Sequence, residues 1–441
     1  MNMEITKETL LAFSVKFDAQ KSNAVAMAAV TANGLLKSII NNKVCRSVSH
    51  EFSLTLPKGN VTNQGNSGRC WIFAALNILS FNIRKRFKLN DFELSQNYIS
   101  FYDKLEKANF FLENVLATLD KSSDSRLFLF LLKSPIQDAG QWDMFCNIIE
   151  KYGVVPKAVM PETSASFAPM EMVACINQKL REYACIIRKK YKSGSSIDEL
   201  RENKAEMMET VYRMLCICHG KPPELFNFEA YNEKGIVISE KDITAEMFMS
   251  KYVQFDADDF VSIINAPAVS KPYYKSYRIS YLGNVMNGRP VAHVNLPMKV
   301  LKESALLQLQ NGYPVWFGCD ARKFVSREVG LFDLNSYDLE TIFGTEYTLT
   351  KGEELEYCNS FLTHAMVIMG AHLNENGSIM RWCVENSYGS DVGSEGFFSM
   401  TDEWFERYVY QVIINKRYLR DPIPDEIIIL EPWDPLGSLA T

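Results

Sequence analysis

Along the chain, apolar residues change their spacing from one part to the next. In "WIFAALNILSFNIRKRF", Trp71–Phe87, they recur every three or four positions, the spacing of a buried helical face. A second stretch of this kind, "LSQNYISFYDKLEKANFFLENVLATL", opens beside Glu93 and Ser95, as a helix start prefers. "GQWDMFCNIIEKYG" predicts a third helix, closed by Gly153 and followed by Pro156. Helical pattern continues from about Pro161 to Cys218, interrupted by the turn "SGSS". The segment 223–290 is mixed: "GIVIS" predicts a strand, "TAEMFMSKYV" a helix, and "YYKSYRISYLGNV" a further extended run. After it, "PVWFGCD", "HAMVIMGAHL", "SIMRWCVEN", "GFFSM" and "YVYQVIIN" are short β-rich runs separated by glycines and polar turns. Helices first and strands last predict an α+β chain. The tail "LEPWDPLGSLAT" stands apart, because Pro432, Pro435 and Gly437 cannot continue a regular strand or helix.

Composition narrows the class. With 441 residues, 47% hydrophobic and 23% charged, the chain is globular rather than disordered. Its length suits two or three domains, or one domain with large insertions. The net charge of −6, with both signs well mixed, asks for neither nucleic acid nor an anionic membrane. The clusters Arg84-Lys85-Arg86 and Arg188-Lys189-Lys190 fall near helix ends, where cations complement the dipole. The N-terminal "MNMEITKETLLAFSVKF" carries early charges and no long apolar core, so it does not read as a signal peptide. No later stretch is long and apolar enough to span a bilayer. Ten scattered cysteines lack the spacing of a disulfide framework and fit a cytoplasmic protein with reduced thiols. Cys216, Cys218 and His219 lack a second pair with zinc spacing, so neither a metal nor a cofactor is expected.

One cysteine sits differently. In "NQGNSGRCW", residues 63–71, Cys70 falls at a helix start, where free N–H groups and the helix dipole favour a thiolate and lower the thiol pKa. Cys45, Cys146, Cys175, Cys185, Cys319, Cys358 and Cys383 read as inert core residues. A cysteine nucleophile needs a base, a group that orients the base, and donors for an oxyanion. Of five histidines (His50, His219, His293, His364 and His372), His364 opens the apolar run "THAMVIMG" and can face a cleft from the mouth of a buried strand. The next strand ends at Asn386, so a hairpin makes His364 and Asn386 neighbours. The expected geometry has the Asn386 carbonyl accepting the Nδ1–H of His364, with Nε2 aimed at sulfur.

These residues carry a resemblance. "QGNSGRCW" looks like the cysteine segment of papain-like peptidases, and the order Cys…His…Asn matches. "GRCWIFAALN", "ELSQNYISFYDKLEKANFFLEN", "GQWDM", "PVWFGCD", "LTHAMVI", "ENSYG", "MTDEWFERYVYQV" and "EPWDPLGSLA" are similar to hallmarks of the bleomycin hydrolase and aminopeptidase C family. They run in order from near residue 60 to the end.

The resemblance implies a papain-like α+β fold with a large, mostly helical insertion and a C-terminal arm. Residues 1–60 would form an N-terminal arm and first helix, and 61–155 the helical half bearing Cys70. Residues 156–290 would be the insertion, a possible oligomerisation element, 291–430 the β-rich half bearing His364 and Asn386, and 431–441 an arm reaching the active site. It implies Cys70 as nucleophile, His364 as its acid–base partner, Asn386 as orienting group, and Gln64 with the Cys70 N–H as oxyanion hole. Gly140 would hold substrate backbone in strand-like pairing. The arm, anchored by Trp433 and Leu436, would bring Ala440 and Thr441 into the cleft, where a terminal carboxylate selects a free α-ammonium. Thr441 lies one residue beyond the family's usual stop and is a candidate for self-trimming. Peptide substrates and a homohexamer are implied, with no membrane or nucleic-acid partner. The chain departs from the family at Ala139, where a first glycine is frequent, and at Tyr388, where tryptophan is common. Two other readings remain open at this point: a thiol acyltransferase, and a non-catalytic, cage-like binding protein.

Overall fold

The computed structural model describes residues 4–89, 91–232, 234, 235 and 237–440. Near-continuous apolar runs in the second half form the middle of a twelve-stranded sheet. Val409–Asn415, Val315–Cys319, His364–Leu373, Ile379–Glu385 and Phe397–Thr401 lie side by side in that order. All four pairings are antiparallel. The sheet also takes in Phe260–Ile264, Lys275–Ile279 and Ala292–Asn295, so strands from inside the mixed segment 223–290 join it. Phe226–Tyr231 and Val237–Ile243 make a separate hairpin.

The helix Cys70–Phe87 packs against the His364 strand, and its first seven residues are all buried. A helix apolar on every side belongs inside a core, as its sequence pattern requires. It ends at Arg84-Lys85-Arg86, with Lys88 in the left-handed region at φ 54°. Gln96–Ala117 starts at Ser95, whose side chain accepts from the Tyr98 N–H. Trp142–Tyr152 closes at Gly153. The long helices Met170–Lys192 and Ile197–His219 are joined through "SGSS" and packed on each other. A reciprocal cap between Ser196 and Glu199 starts the second. Helix and strand expectations therefore hold, as does the α+β class.

Among the described residues, no helix is long and apolar enough to cross a membrane. The seven cysteines read as core residues divide: Cys45, Cys146, Cys319 and Cys383 are buried, but Cys175, Cys185 and Cys358 are exposed. Cys175 and Cys185 lie on the long helix Met170–Lys192, whose outer face meets solvent.

Candidate active site

The loop 63–69 is held from both sides. Its Asn63 bridges Tyr388, and the Gln64 N–H donates to the Ser387 carbonyl at 2.9 Å. Gly65 takes φ 61°, a turn that other residues adopt at a cost. Gln64 is buried; its Oε1 accepts from Ser387 Oγ at 2.5 Å, and its Nε2 donates to the Ser67 carbonyl at 2.5 Å. The Ser67 carbonyl, which can only accept, thus fixes which end of the amide is NH2, and one of its two N–H donors stays available.

A network of buried charges continues this clamp. Gly68 N–H donates to Asp138 Oδ2 at 3.1 Å, and Trp71 Nε1 to the Asp138 carbonyl at 2.7 Å. Lys104 pairs with the same carboxylate. Lys107 donates to Asp103, and to the carbonyls of Gln137 and Ala139 at 2.9 and 2.7 Å. Arg69 is buried against Glu162 in a two-pronged pair at 3.1 and 2.8 Å. The segment 137–140 is thereby locked to the turn before Cys70. Sequence periodicity gave no sign of these residues, because charged residues on a helix read as its solvent face. The one available signal was Asp138 beside Ala139 and Gly140 in "DAGQWDM".

Cys70 is the first residue of its helix and is fully buried. Its Sγ accepts from the backbone N–H of Ala365 at 3.4 Å, so the sulfur lies at the mouth of the strand that His364 begins. The expected fall in thiol pKa does not occur in this closed state. Burial pushes the thiol up to about 12, outweighing the opposing pull of the Ala365, Trp71 and Cys70 N–H groups.

His364 and Asn386 meet at 2.9 Å, as the hairpin requires, but through Nε2 rather than Nδ1. Asn386 Oδ1 also accepts from the Ser387 N–H at 2.8 Å, which identifies that atom as the oxygen and puts the His364 proton on Nε2. The expected nitrogen assignment is therefore reversed. The sulfur sits against the Ala365 amide, close to the His364 backbone, and the ring nitrogen nearer the backbone is Nδ1. Asn386 reaches the distal nitrogen. Burial, together with the Arg327 charge, lowers the His364 pKa to about 4, against the raising effect of the Asn386 bond. Both shifts favour the neutral thiol and the neutral imidazole over their charged forms. Tyr388 stacks on His364 with ring centroids 5.1 Å apart and planes 19° from parallel. It covers one face of the imidazole.

Three of the other histidines are engaged elsewhere. His219 Nδ1 bonds Asn97 Oδ1 at 2.6 Å, and His293 Nδ1 bonds Ser262 Oγ at 2.8 Å. His50 Nε2 contacts the Val329 carbonyl at 3.0 Å.

Gly140 is paired in antiparallel fashion with Ala440 of the chain's own tail. A Cβ at Gly140 would collide with the Trp71 indole. Gln141 Nε2 donates to the Ser438 carbonyl at 2.9 Å, and the Leu362 N–H to Ser438 Oγ at 3.1 Å. Further out, Lys271 pairs with Asp434 at 3.0 Å, and the Arg126 guanidinium lies 3.9 Å from the Trp433 ring centroid. Leu436 and Ala440 are buried. Thr441 lies outside the described residues.

A sulfur at a helix start, an imidazole oriented by an amide and a strand-forming glycine together suit acyl transfer. The Peptidase C1-like family model matches residues 4–437. The chain belongs to that family. The Peptidase C1-like chain is 41% identical over 444 residues to aminopeptidase C of Listeria monocytogenes, covering all of both chains. It is 36% identical to mouse bleomycin hydrolase, covering 100% of this chain and 99% of the other. The crystal structure of PepW from Lactobacillus rhamnosis superimposes with a TM-score of 0.96 at 42% identity, again over all of both chains. This family member is a cysteine aminopeptidase with the papain-like fold.

Proposed function

We propose that Cys70, His364, Asn386 and Gln64 hydrolyse N-terminal residues from peptides through a thioester. The observation that carries the reading is the Cys70 Sγ at 3.4 Å from the Ala365 amide, beside an imidazole held by Asn386. As the scissile carbonyl approaches, the Cys70 proton passes to His364 Nδ1 and sulfur attacks carbon. Because both groups start neutral, the transfer creates a mutually attracting ion pair without changing net charge. Asn386 keeps the imidazolium aimed. The free Gln64 N–H and the Cys70 backbone N–H stabilise the oxyanion, each donor contributing about 10²-fold or more. His364 then protonates the leaving amine and activates the water that opens the thioester.

The arm sets the cut. Ala440 occupies the edge of Gly140 that a longer peptide would need. On this reading a terminal carboxylate at Thr441 receives the free substrate ammonium and sets the cut after the first residue. Gly140, Ala440 and Thr441 are accordingly the substrate-binding positions. Hydrolysis of aminoacyl fluorogenic amides, with loss of activity on their N-acetyl counterparts and in Cys70→Ala, is the expected result. Equal turnover of blocked and free substrates would remove the aminopeptidase assignment.

Ten unpaired cysteines support a cytoplasmic location. A homohexamer is the assembly the family resemblance suggests. The N-terminal helices support self-association: Lys7–Asp18 and Lys21–Asn33 bury no residue, and Leu10, Leu11, Phe13, Val15 and Phe17 are exposed.

A further inference from the structure

Beside the Tyr388 ring that covers His364 lies a cation with no ion-pair partner among the described residues. Arg327 is exposed, and among the described residues it makes no ion pair or side-chain hydrogen bond. Its Cζ lies 5.0 Å from the centroid of the Tyr388 ring. Tyr388 in turn stacks on His364. Those two contacts put the guanidinium no more than about 10 Å from the imidazole. Its charge is felt there, as one cause of the depressed His364 pKa. The segment is tethered, since the Arg327 carbonyl accepts from the Gly393 N–H at 3.1 Å.

The arm lies on other residues. It contacts Gly140, Gln141 and Leu362, and among the described residues no hydrogen bond or ring contact joins it to Tyr388 or Arg327. A substrate whose ammonium abuts the arm must send its remaining residues past His364 in the other direction. An extended chain advances about 3.3 Å per residue. Two or three residues beyond the scissile bond therefore span the distance to Arg327.

We propose that Arg327 is a specificity residue on the leaving-group side, binding a peptide carboxylate two or three residues beyond the cut. The inference rests on the aminopeptidase reading for its direction. The carboxylate has two sources: the C-terminus of a di- or tripeptide, or an acidic side chain in a longer one. Arginine suits either, because its planar fork meets a carboxylate with two parallel N–H donors.

Binding to Cys70→Ala protein tests this without turnover. Calorimetry would compare Ala-Ala-Ala with its C-terminal amide, and Ala-Ala-Glu-amide with Ala-Ala-Gln-amide. In each pair the carboxylate peptide is expected to bind about fivefold or more tighter, and the advantage to shrink as salt rises. Adding Arg327→Gln should bring both ratios toward one, whereas Arg327→Lys should restore part of them. If only the first pair responds, the C-terminus is the ligand; if only the second, the side chain is. If Arg327 merely props Tyr388, Arg327→Gln weakens all four peptides equally and the ratios survive, which overturns the proposal. Failure of the aminopeptidase reading would show separately, as the Cys70 enzyme leaving these same peptides uncut.

Discussion

At the scale of single residues, His364 shows how far spacing carries and where it stops. Strand order made His364 and Asn386 neighbours, and they are. The choice of ring nitrogen depended on where the sulfur stands relative to the strand backbone, a tertiary fact with no trace in local sequence. The same applies to the Cys70 thiol. A helix start was readable, but the burial that outweighs it comes from the sheet and helices packed around the sulfur. With Nε2 on Asn386, Asn386→Ala should free the ring to rotate and leave an unoriented base. We expect kcat to fall at least about tenfold, with KM changing far less, because the bond serves the transition state more than ground-state binding. Steady-state kinetics on an aminoacyl amide measure this. An unchanged kcat would remove Asn386 from the machinery.

At the scale of elements, apolar period located the helices and strands around the site within a residue or two. What it left invisible was the buried charge between them. Asp103, Lys104 and Lys107 sit on a helix face that meets other protein rather than water, and only the partners of the two lysines in 137–140, with Lys107 and Asn284 around Asp103, explain why. Glu385, at the end of the strand paired with the His364 strand, is a similar case. Burial raises its carboxyl pKa to about 7, against the lowering effects of Arg84 and the Asn77 amide. The fold thus holds a proton that the unfolded chain releases near pH 4.5. Its contribution to stability is fully present below that value and is lost as pH rises toward 7. His364 and His293, both lowered to about 4, act with the opposite sign: their contribution is present above pH 6.5 and lost as pH falls to 4. Between pH 5 and 6.5 the one carboxyl offsets part of what the two histidines contribute. Glu385→Gln removes one side while its amide oxygen still accepts from Asn77. Stability should then rise more steeply with pH, by up to about 1.4 kcal/mol per pH unit. Urea denaturation at pH 5, 6 and 7 reads the slope, and parallel profiles for variant and wild type would refute the assignment.

At the scale of the whole molecule, the tail ties the furthest parts of the chain together. Prolines and glycine marked it as irregular, but its docking depends on Gly140 and Gln141, about 300 residues upstream, and on Leu362, 76 residues before Ser438. Removing residues 431–441 should have two linked consequences. The preference for free over N-acetylated aminoacyl amides should fall at least about tenfold, because no arm remains to carry a terminal carboxylate to the ammonium. Alkylation of Cys70 by iodoacetamide at pH 7 should also accelerate, since opening the cleft restores solvent to a thiol that burial holds up to about 12. The two readouts separate selection from shielding. Faster alkylation with preference intact would mean that the arm covers the sulfur while another group reads the N-terminus. Lost preference with unchanged alkylation would mean that Cys70 is shielded by the sheet and helices alone. Only a change in both, with thermal unfolding still cooperative, fits an arm that closes the cleft and sets the length of what is cut.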